Sequence, residues 1–458
     1  MKASYPIGEK PRDARDQEEA SSWRVLLDRA QSVSSGRKVR LERFARILEL
    51  YRSRTAHLPS IVKVTGTSGK GSVCAILESM FLRDGKRVCT FTSPHLVTER
   101  ERIRLNGKVV SSELWEHAAT NARPFFDEIL AILGNDCQPS FFETVLLLAL
   151  NISQANEVDI LLLEVAVGGY NDVVSLFSSP LSAITTVGID HQLELGDTVS
   201  EIAADKVGIA SAGSTLVLGP SIQGEARSVI LLDAAQREVK VVQADRSRIT
   251  PLAYTNSGSQ VQVGDVQFRL PLPGRFQLDN LATALSLLES AVLLGWANNL
   301  NSVSGASQTH WPARLELVRT HPLGPYWLID AGHNPLAYRE IRTYITEFYP
   351  TSKVALVFGA SELDKASEGL TILSPAFDAI FVTTGFYRSA VNSINDLHNA
   401  KAILDKLTFV RNPLEAFRLA LECKEPFDLI VVTGSVFLVG HWKTLFMAGS
   451  LSLGAKAL

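Results

Sequence analysis

Cysteine is scarce in this 458-residue chain: Cys74, Cys89, Cys137 and Cys423 are the only four. Their spacing suits neither a metal knuckle nor a disulfide framework, and they lie mostly in apolar segments, so a reducing compartment is expected. No charge of one sign dominates, since 45 Lys and Arg stand against 48 Asp and Glu for a net charge of −3. With both signs interspersed, there is no electrostatic footprint for nucleic acid or an anionic membrane. Neither a secretory apolar segment nor an apolar run long enough to span a bilayer is present, so a soluble, cytoplasmic protein is expected. Repeats, low-complexity tracts and the spacing of a Ser, His, Asp triad are also missing. Residues 1–22 mix charges without apolar period, which argues for a loose tail and against a transit peptide. What remains is small-molecule chemistry. An apolar content of 46% lets the chain bury two or three cores of domain size.

The most informative stretch is IVKVTGTSGKGSV, Ile61 to Val73. Ile61, Val62 and Val64 suit a buried parallel strand. Val73, Ile76, Leu77 and Met80 follow at helical spacing, and Gly85 closes the helix. Between strand and helix, Gly66, Gly69 and Gly71 let backbone N–H groups turn onto an anion, with Thr67 and Ser68 in the same loop. Lys70 adds a point charge, and Ser72 a hydroxyl for phosphate or Mg2+. The common phosphate loop has a glycine five residues before its GK pair and Ser or Thr directly after it; here Val64 and Gly71 occupy those places. GTSGKGS resembles the shorter ATP loop of the Mur ligase superfamily, enzymes that join a carboxylate to an amine.

Around this loop the chain alternates. Two helices are expected between Trp23 and Tyr51. A second strand stops at Ser93, Pro94 and His95, Phe142 to Leu150 reads as a buried helix, and Asp159 to Val165 reads as a buried strand. That strand carries Glu164, a carboxylate expensive to bury unless bound to a cation or hydrogen-bonded. Ile184 to Ile189 is expected as the next strand, ending at Asp190 and His191. Thr198 and Glu201 form a capping box, placing Ile202, Lys206 and Ile209 on one helix face. Lysines on apolar faces usually snorkel to solvent, but Lys206 keeps company with Glu164 and His191. Thr215 to Pro273 reads as a small, partly antiparallel insertion. Asn298 to Thr309 reads as the linker, giving domains at 23–300 and 301–458, the second again α/β.

Ten ordered motifs then identify the chain as similar to the folylpolyglutamate synthase and dihydrofolate synthase family: VTGTSGKGS, TSPHL with ERIRLNG, FFETV, LLLEVAVGG, TTVGIDH with LGDTVSEIAADKVGIA, GRFQLDN, WPARLE, DAGHNP, LDK and VVTGS. The resemblance implies an α/β protein with a parallel-sheet Mur ligase central domain and a smaller Rossmann-like C-terminal domain, monomeric, with the active site in the cleft between them. It implies ATP and two Mg2+. Ser93, Glu164 and His191 match the metal ligands, and Lys206 matches a lysine that becomes carbamylated. Asn280 matches an adenine contact, Asp330 a ribose contact and Arg314 a terminal-phosphate contact. His333 and Asn334 fall beside the amino-acid acceptor, expected to be glutamate, and Tyr170 and Asp172 where the folate-like carboxylate would lie.

Departures fall mostly near the substrates. The family's GGRLDATN is Gly168 to Ser175 here, losing an arginine and the final asparagine; WPGR has Ala313, DKD ends in Ala366, HQ is Phe276 and Gln277, and DGAHN reads DAGHN. The expectation is therefore an ADP-forming ligase that makes an acyl phosphate and transfers it to an amine. Three rivals stay open: the same chemistry on a non-folate acid or another amine, a silent nucleotide-binding protein, and a P-loop kinase.

Overall fold

The computed structural model describes residues 21–30, 37–55, 58–322, 324–393, 396–397 and 405–451. The expected loose tail lies mainly outside them; Ser21 already caps the first helix by accepting from the Arg24 N–H. In chain order α1 (Ser22–Arg29) and α2 (Arg37–Arg54) precede β1 (Ser60–Thr65), α3 (Lys70–Arg83), β2 (Val88–Phe91), β3 (Ile103–Leu105) and β4 (Lys108–Val109). Then come α4 (Ser112–Leu133), α5 (Phe141–Ala155), β5 (Ile160–Glu164), β6 (Leu181–Ile184), α6 (Gln192–Leu195) and α7 (Val199–Val207). Next are β7 (Thr215–Leu218), α8 (Gly224–Gln236), β8 (Lys240–Gln243), β9 (Ile249–Thr255), β10 (Gly258–Val263), β11 (Val266–Leu270) and α9 (Gln277–Leu293).

The first sheet runs β4-β3-β2-β5-β1-β6-β7-β8. From β2 to β8 neighbours pair parallel, and β3 and β4 form an antiparallel edge. Its central strands read as continuous apolar runs because both faces are covered. One face packs with α2, α4 and α5 through Phe44, Ile47, Phe126 and Leu147, and the other with α3 and α9 through Cys74, Met80, Leu281 and Leu285. Strand β1 thus lies between β5 and β6, so the phosphate loop opens between the ends of both.

Two expectations need correction in this body. The strand after β5 is Leu181–Ile184, not Ile184 to Ile189. Beyond Ile184 the backbone turns to the phosphate loop instead of a neighbouring strand: Thr67 N–H donates to Thr186 O at 3.0 Å and Gly188 N–H to Thr67 Oγ1 at 3.0 Å. The run VKVVQ likewise belongs to the main sheet, as β8 parallel to β7; only β9, β10 and β11 form the antiparallel insertion.

The expected linker is folded. Leu300–Gln308 is a 3-10 helix whose Val303 and Ala306 enter the same core as α3. The second body follows: β12 (Glu316–Arg319), β13 (Tyr326–Ile329), α10 (Pro335–Phe348), β14 (Val354–Phe358), α11 (Leu363–Leu373), β15 (Ala379–Thr383), β16 (Leu407–Val410), α12 (Pro413–Leu421), β17 (Leu429–Thr433) and α13 (Val436–Met447). Its sheet runs β12-β13-β17-β14-β15-β16, parallel except for the β12 edge. The two bodies touch: Leu96 packs into the second body's core, and Arg275 pairs with Glu347 at 2.5 Å. No helix among the described residues is long and apolar enough to cross a membrane.

Candidate active site

The phosphate loop is shaped by close approaches. Gly69 sits at φ 88° as the residue before α3 and provides no side-chain cap, so the first-turn N–H groups of α3 face outward as an anion site. A Cβ on Gly66 would lie 2.0 Å from Thr185 Oγ1, one on Gly69 2.4 Å from Asn280 Oδ1, and one on Gly71 2.7 Å from the Trp311 ring. Each glycine is therefore required by what crowds it. Ser68 N–H donates to Thr186 Oγ1 at 2.8 Å, and Lys70 Nζ folds back onto Gly66 O at 2.9 Å. Ser72 Oγ is buried with no partner among the protein's own atoms. An orphaned hydroxyl beneath an uncapped glycine loop fits a phosphate or its cation.

Beside the loop lies Glu164, the last residue of β5 and the register partner of Val64. It is 5% exposed, and its Oε2 accepts from the Ser93 N–H at 3.1 Å. Burial raises its pKa, opposed by Lys70, the Ser93 N–H, Arg314 and Arg102. Strand order brings Ser93 here although β2 and β1 are not neighbours, because β5 stands between them. Lys206, only 2% exposed, does point inward and lines a small cavity with Gly66, Thr67, Lys70, Asp190 and His191. Burial and then the charge of Lys70 lower its pKa to about 7. Ile209, expected on the same helical face, lies past the end of α7 at Val207. The oxygens of Glu164 and Ser93 suit a hard cation such as Mg2+, whereas Lys206 suits it only once its amine carries a carboxylate.

The second body closes over this group. Asn334 caps α10, its Oδ1 accepting from the Ala337 N–H at 3.0 Å, while its Nδ2 donates to Ser68 Oγ at 3.3 Å and to Asp190 Oδ2 at 3.2 Å. Lys365 Nζ donates to Asp190 Oδ1 at 2.9 Å, and His333 Nε2 stands 4.0 Å from Asp190 Oδ2. Despite burial, His191 and His333 when protonated, together with Lys365, hold Asp190 well below the usual carboxylate range. Asp330 is 4% exposed and accepts from the Leu315 N–H at 2.8 Å and the Gly332 N–H at 2.7 Å, tying the Arg314 loop to the loop before α10. Arg314 donates to Ala313 O at 2.9 Å, between two left-handed residues, Ala313 at φ 55° and Leu315 at φ 49°. Asn280 Nδ2 donates to Gln277 Oε1 at 2.8 Å, and Gln277 Nε2 is buried without a partner.

Tyr170 is 65% exposed, whereas Asp172 is buried and committed to backbone: its carboxylate accepts from the N–H groups of Val174, Ala166 and Val167 at 2.9, 3.1 and 3.3 Å. Their loop hangs on Asp205. Gly169 N–H donates to Asp205 Oδ2 at 2.7 Å, Asn171 Nδ2 to Oδ1 at 2.8 Å, and Tyr170 N–H to Asp205 O at 2.8 Å.

Four residues join the site without having been singled out as site residues from sequence: Asp190, Asp205, Trp311 and Lys365. Asp190 had a signal in its place next to His191 beyond a strand, Lys365 in the LDK motif and Trp311 in WPARLE. Asp205 had one in LGDTVSEIAADKVGIA, though an acidic residue beside a helical lysine is an ordinary surface pattern.

Known proteins resemble this chain in sequence and in fold. Residues 64–288 match the Mur ligase middle domain, and residues 313–436 match the Mur ligase glutamate ligase domain. A dihydrofolate synthase/folylpolyglutamate synthase of Bacillus subtilis is 30% identical over 393 residues, 82% of this chain and 88% of that protein. A probable bifunctional folylpolyglutamate synthase/dihydropteroate synthase of Haloferax volcanii is 30% identical over 402 residues, and the match spans about half of its length, 46%. Among solved structures, Mycobacterium tuberculosis folylpolyglutamate synthase complexed with ADP aligns with TM-score 0.80 and 25% identity over 94% of this chain and 99% of that one. A bifunctional folylpolyglutamate synthase/dihydrofolate synthase with Mn, AMPPNP and L-glutamate bound aligns with TM-score 0.72 and 26% identity over 93% and 97%.

Proposed function

Because the chain belongs to the folylpolyglutamate/dihydrofolate synthase family of Mur ligases, we propose that it is an ADP-forming ligase that joins the amine of glutamate to a folate-type carboxylate. The observation that carries this is the uncapped loop of Gly66 to Ser72 with Glu164, His191 and Lys206 gathered beside it.

A carboxylate is a poor electrophile, so its activation by ATP as an acyl phosphate comes first. The open N–H groups of α3 hold the phosphates, and Lys70 swings from the Gly66 carbonyl to the transferring phosphoryl group, where Arg314 assists. Asn280 and Gln277 meet the adenine, and Asp330 the ribose. Glu164, Ser93, His191 and carbamylated Lys206 would hold two Mg2+, which when bound supply neutralisation of phosphoryl charge. Carbamylation adds CO2 to the neutral Lys206 amine and releases a proton, turning a repelling cation into a ligand. The glutamate amine, placed by His333 and Asn334, attacks the acyl carbon; phosphate leaves and an amide remains. The second body excludes water from the acyl phosphate.

Two features support a second reading, the same chemistry on another acid. The stretch Tyr170 to Ser175 lacks the family's arginine and final asparagine, and Asp172 is spent on backbone. The test is mass spectrometry of products from ATP, Mg2+ and glutamate with a panel of pterin and non-pterin acids. Glutamylated dihydropteroate or folate with matching ADP release is the expected outcome. ADP release and product only with another acid would select the second reading, and no amide with any acid would overturn both.

A further inference from the structure

Among the described residues, one group of nitrogen and oxygen donors is arranged in a way that the ligase reading does not require. Asp190, His191 and His333 place ligand atoms within 4.8 Å of one another. Both histidines turn the same atom inward: Nε2 of each stands 4.0 Å from Asp190 Oδ2. Their other nitrogens face acceptors on the outside, His333 Nδ1 at 3.0 Å from Ala331 O and His191 Nδ1 at 3.3 Å from Glu194 Oε2.

Those outer contacts decide the tautomer. A backbone carbonyl only accepts, so the proton of a neutral His333 sits on Nδ1 and a lone pair on Nε2; the Glu194 carboxylate imposes the same on His191. In the neutral form of both rings two lone pairs and a carboxylate oxygen face one another, an assembly that a cation between them relieves. Outer carbonyl or carboxylate acceptors behind inward-facing imidazoles are also how proteins orient metal-binding histidines. Lys365 and Asn334 do not block the position. Lys365 is on Oδ1, and the single Asn334 contact leaves Oδ2 a second lone pair.

We propose that Asp190, His191 and His333 form a transition-metal site of the zinc class that bridges the two bodies and shares only His191 with the magnesium set. Two imidazoles and one carboxylate are a donor set that Mg2+ avoids and Zn2+ favours. A tetrahedral ion with bonds of about 2.0–2.2 Å separates its ligands by roughly 3.4 Å. The two 4.0 Å separations have to close by about half an ångström and the third, within 4.8 Å, by up to about 1.4 Å, with a fourth position left for water. Since His333 belongs to the second body and Asp190 to the first, the bound ion holds the cleft shut. Where the ligase reading also holds, it inhibits, because it takes His191 from magnesium and His333 from the acceptor.

The test uses the full chain, freed of metal and nucleotide, titrated with Zn2+ against a chromogenic chelator, with Co2+ as an absorption probe. One Zn2+ per chain is expected, with the intense visible bands of four-coordinate cobalt. His333→Ala and Asp190→Asn should each lower affinity at least tenfold. Glu194→Gln, which keeps all three ligands and guards against a variant that merely unfolds, should weaken binding about tenfold. Absence of a stoichiometric site in the parent protein, or His333→Ala binding Zn2+ as tightly as the parent, overturns the proposal. Binding is read without turnover, so failure of the ligase reading would be seen separately in the product assay.

Discussion

The two halves of the cleft are built on the same junction, a parallel strand passing through a short loop into a helix, yet they use it in opposite ways. Between β1 and α3 the loop is glycine, the helix start is uncapped, and backbone N–H groups are the functional surface. Between β13 and α10 the helix start is sealed by the Asn334 side chain with Pro335 behind it. What faces the cleft there is side-chain chemistry, from His333, Asn334 and the carboxylate of Asp190 across the gap. The same topology thus gives an anion cradle where donors are left unsatisfied and a sculpted polar wall where they are filled.

The comparison breaks most visibly at Lys70. Lys70→Ala should lower ADP release by about 10²–10³-fold, the scale of losing one preorganised charge at a transition state, with the thermal midpoint unchanged; full-speed turnover would remove the cradle from the chemistry. Gly69→Ala tests the backbone itself. An alanine held left-handed costs about 1–2 kcal/mol and would meet Asn280 Oδ1, so ADP affinity measured by calorimetry should fall about tenfold or more. The smallest effect belongs to the sealed junction: Asn334→Ala should lower unfolding free energy by about 1 kcal/mol through loss of the cap, leaving ADP affinity within about threefold. Asn334→Asp should restore the cap but set a second carboxylate against Asp190, so its deficit should persist as weaker acceptor binding, read as a raised KM for glutamate.

Much of this was legible in the chain. The cradle was, because glycine, lysine and serine at fixed offsets between two apolar periods leave few alternatives. Lys206 was in part: Ile202 one turn earlier set it on an apolar face, where lysines usually snorkel, and its company with Glu164 and His191 favoured the inward reading. Strand β6 was misplaced because TTVGI carries residues typical of strands while its hydrogen bonds go to the phosphate loop, a long-range partner that periodicity does not reveal. Asp190 and Lys365 illustrate the same limit: each is an ordinary charged residue until the second body folds over the first and makes them partners.

The suspension of Gly169, Tyr170 and Asn171 from Asp205 has a consequence for how such an enzyme changes. Two of the three supports grip main-chain atoms, and the Tyr170 side chain itself stands out in solvent. Residue 170 can therefore be exchanged by mutation with little strain on the neighbouring Lys206. On the proposed reading, in which residue 170 lies by the carboxylate substrate and Lys206 by the phosphates, substrate range can shift at the first while the second is left undisturbed.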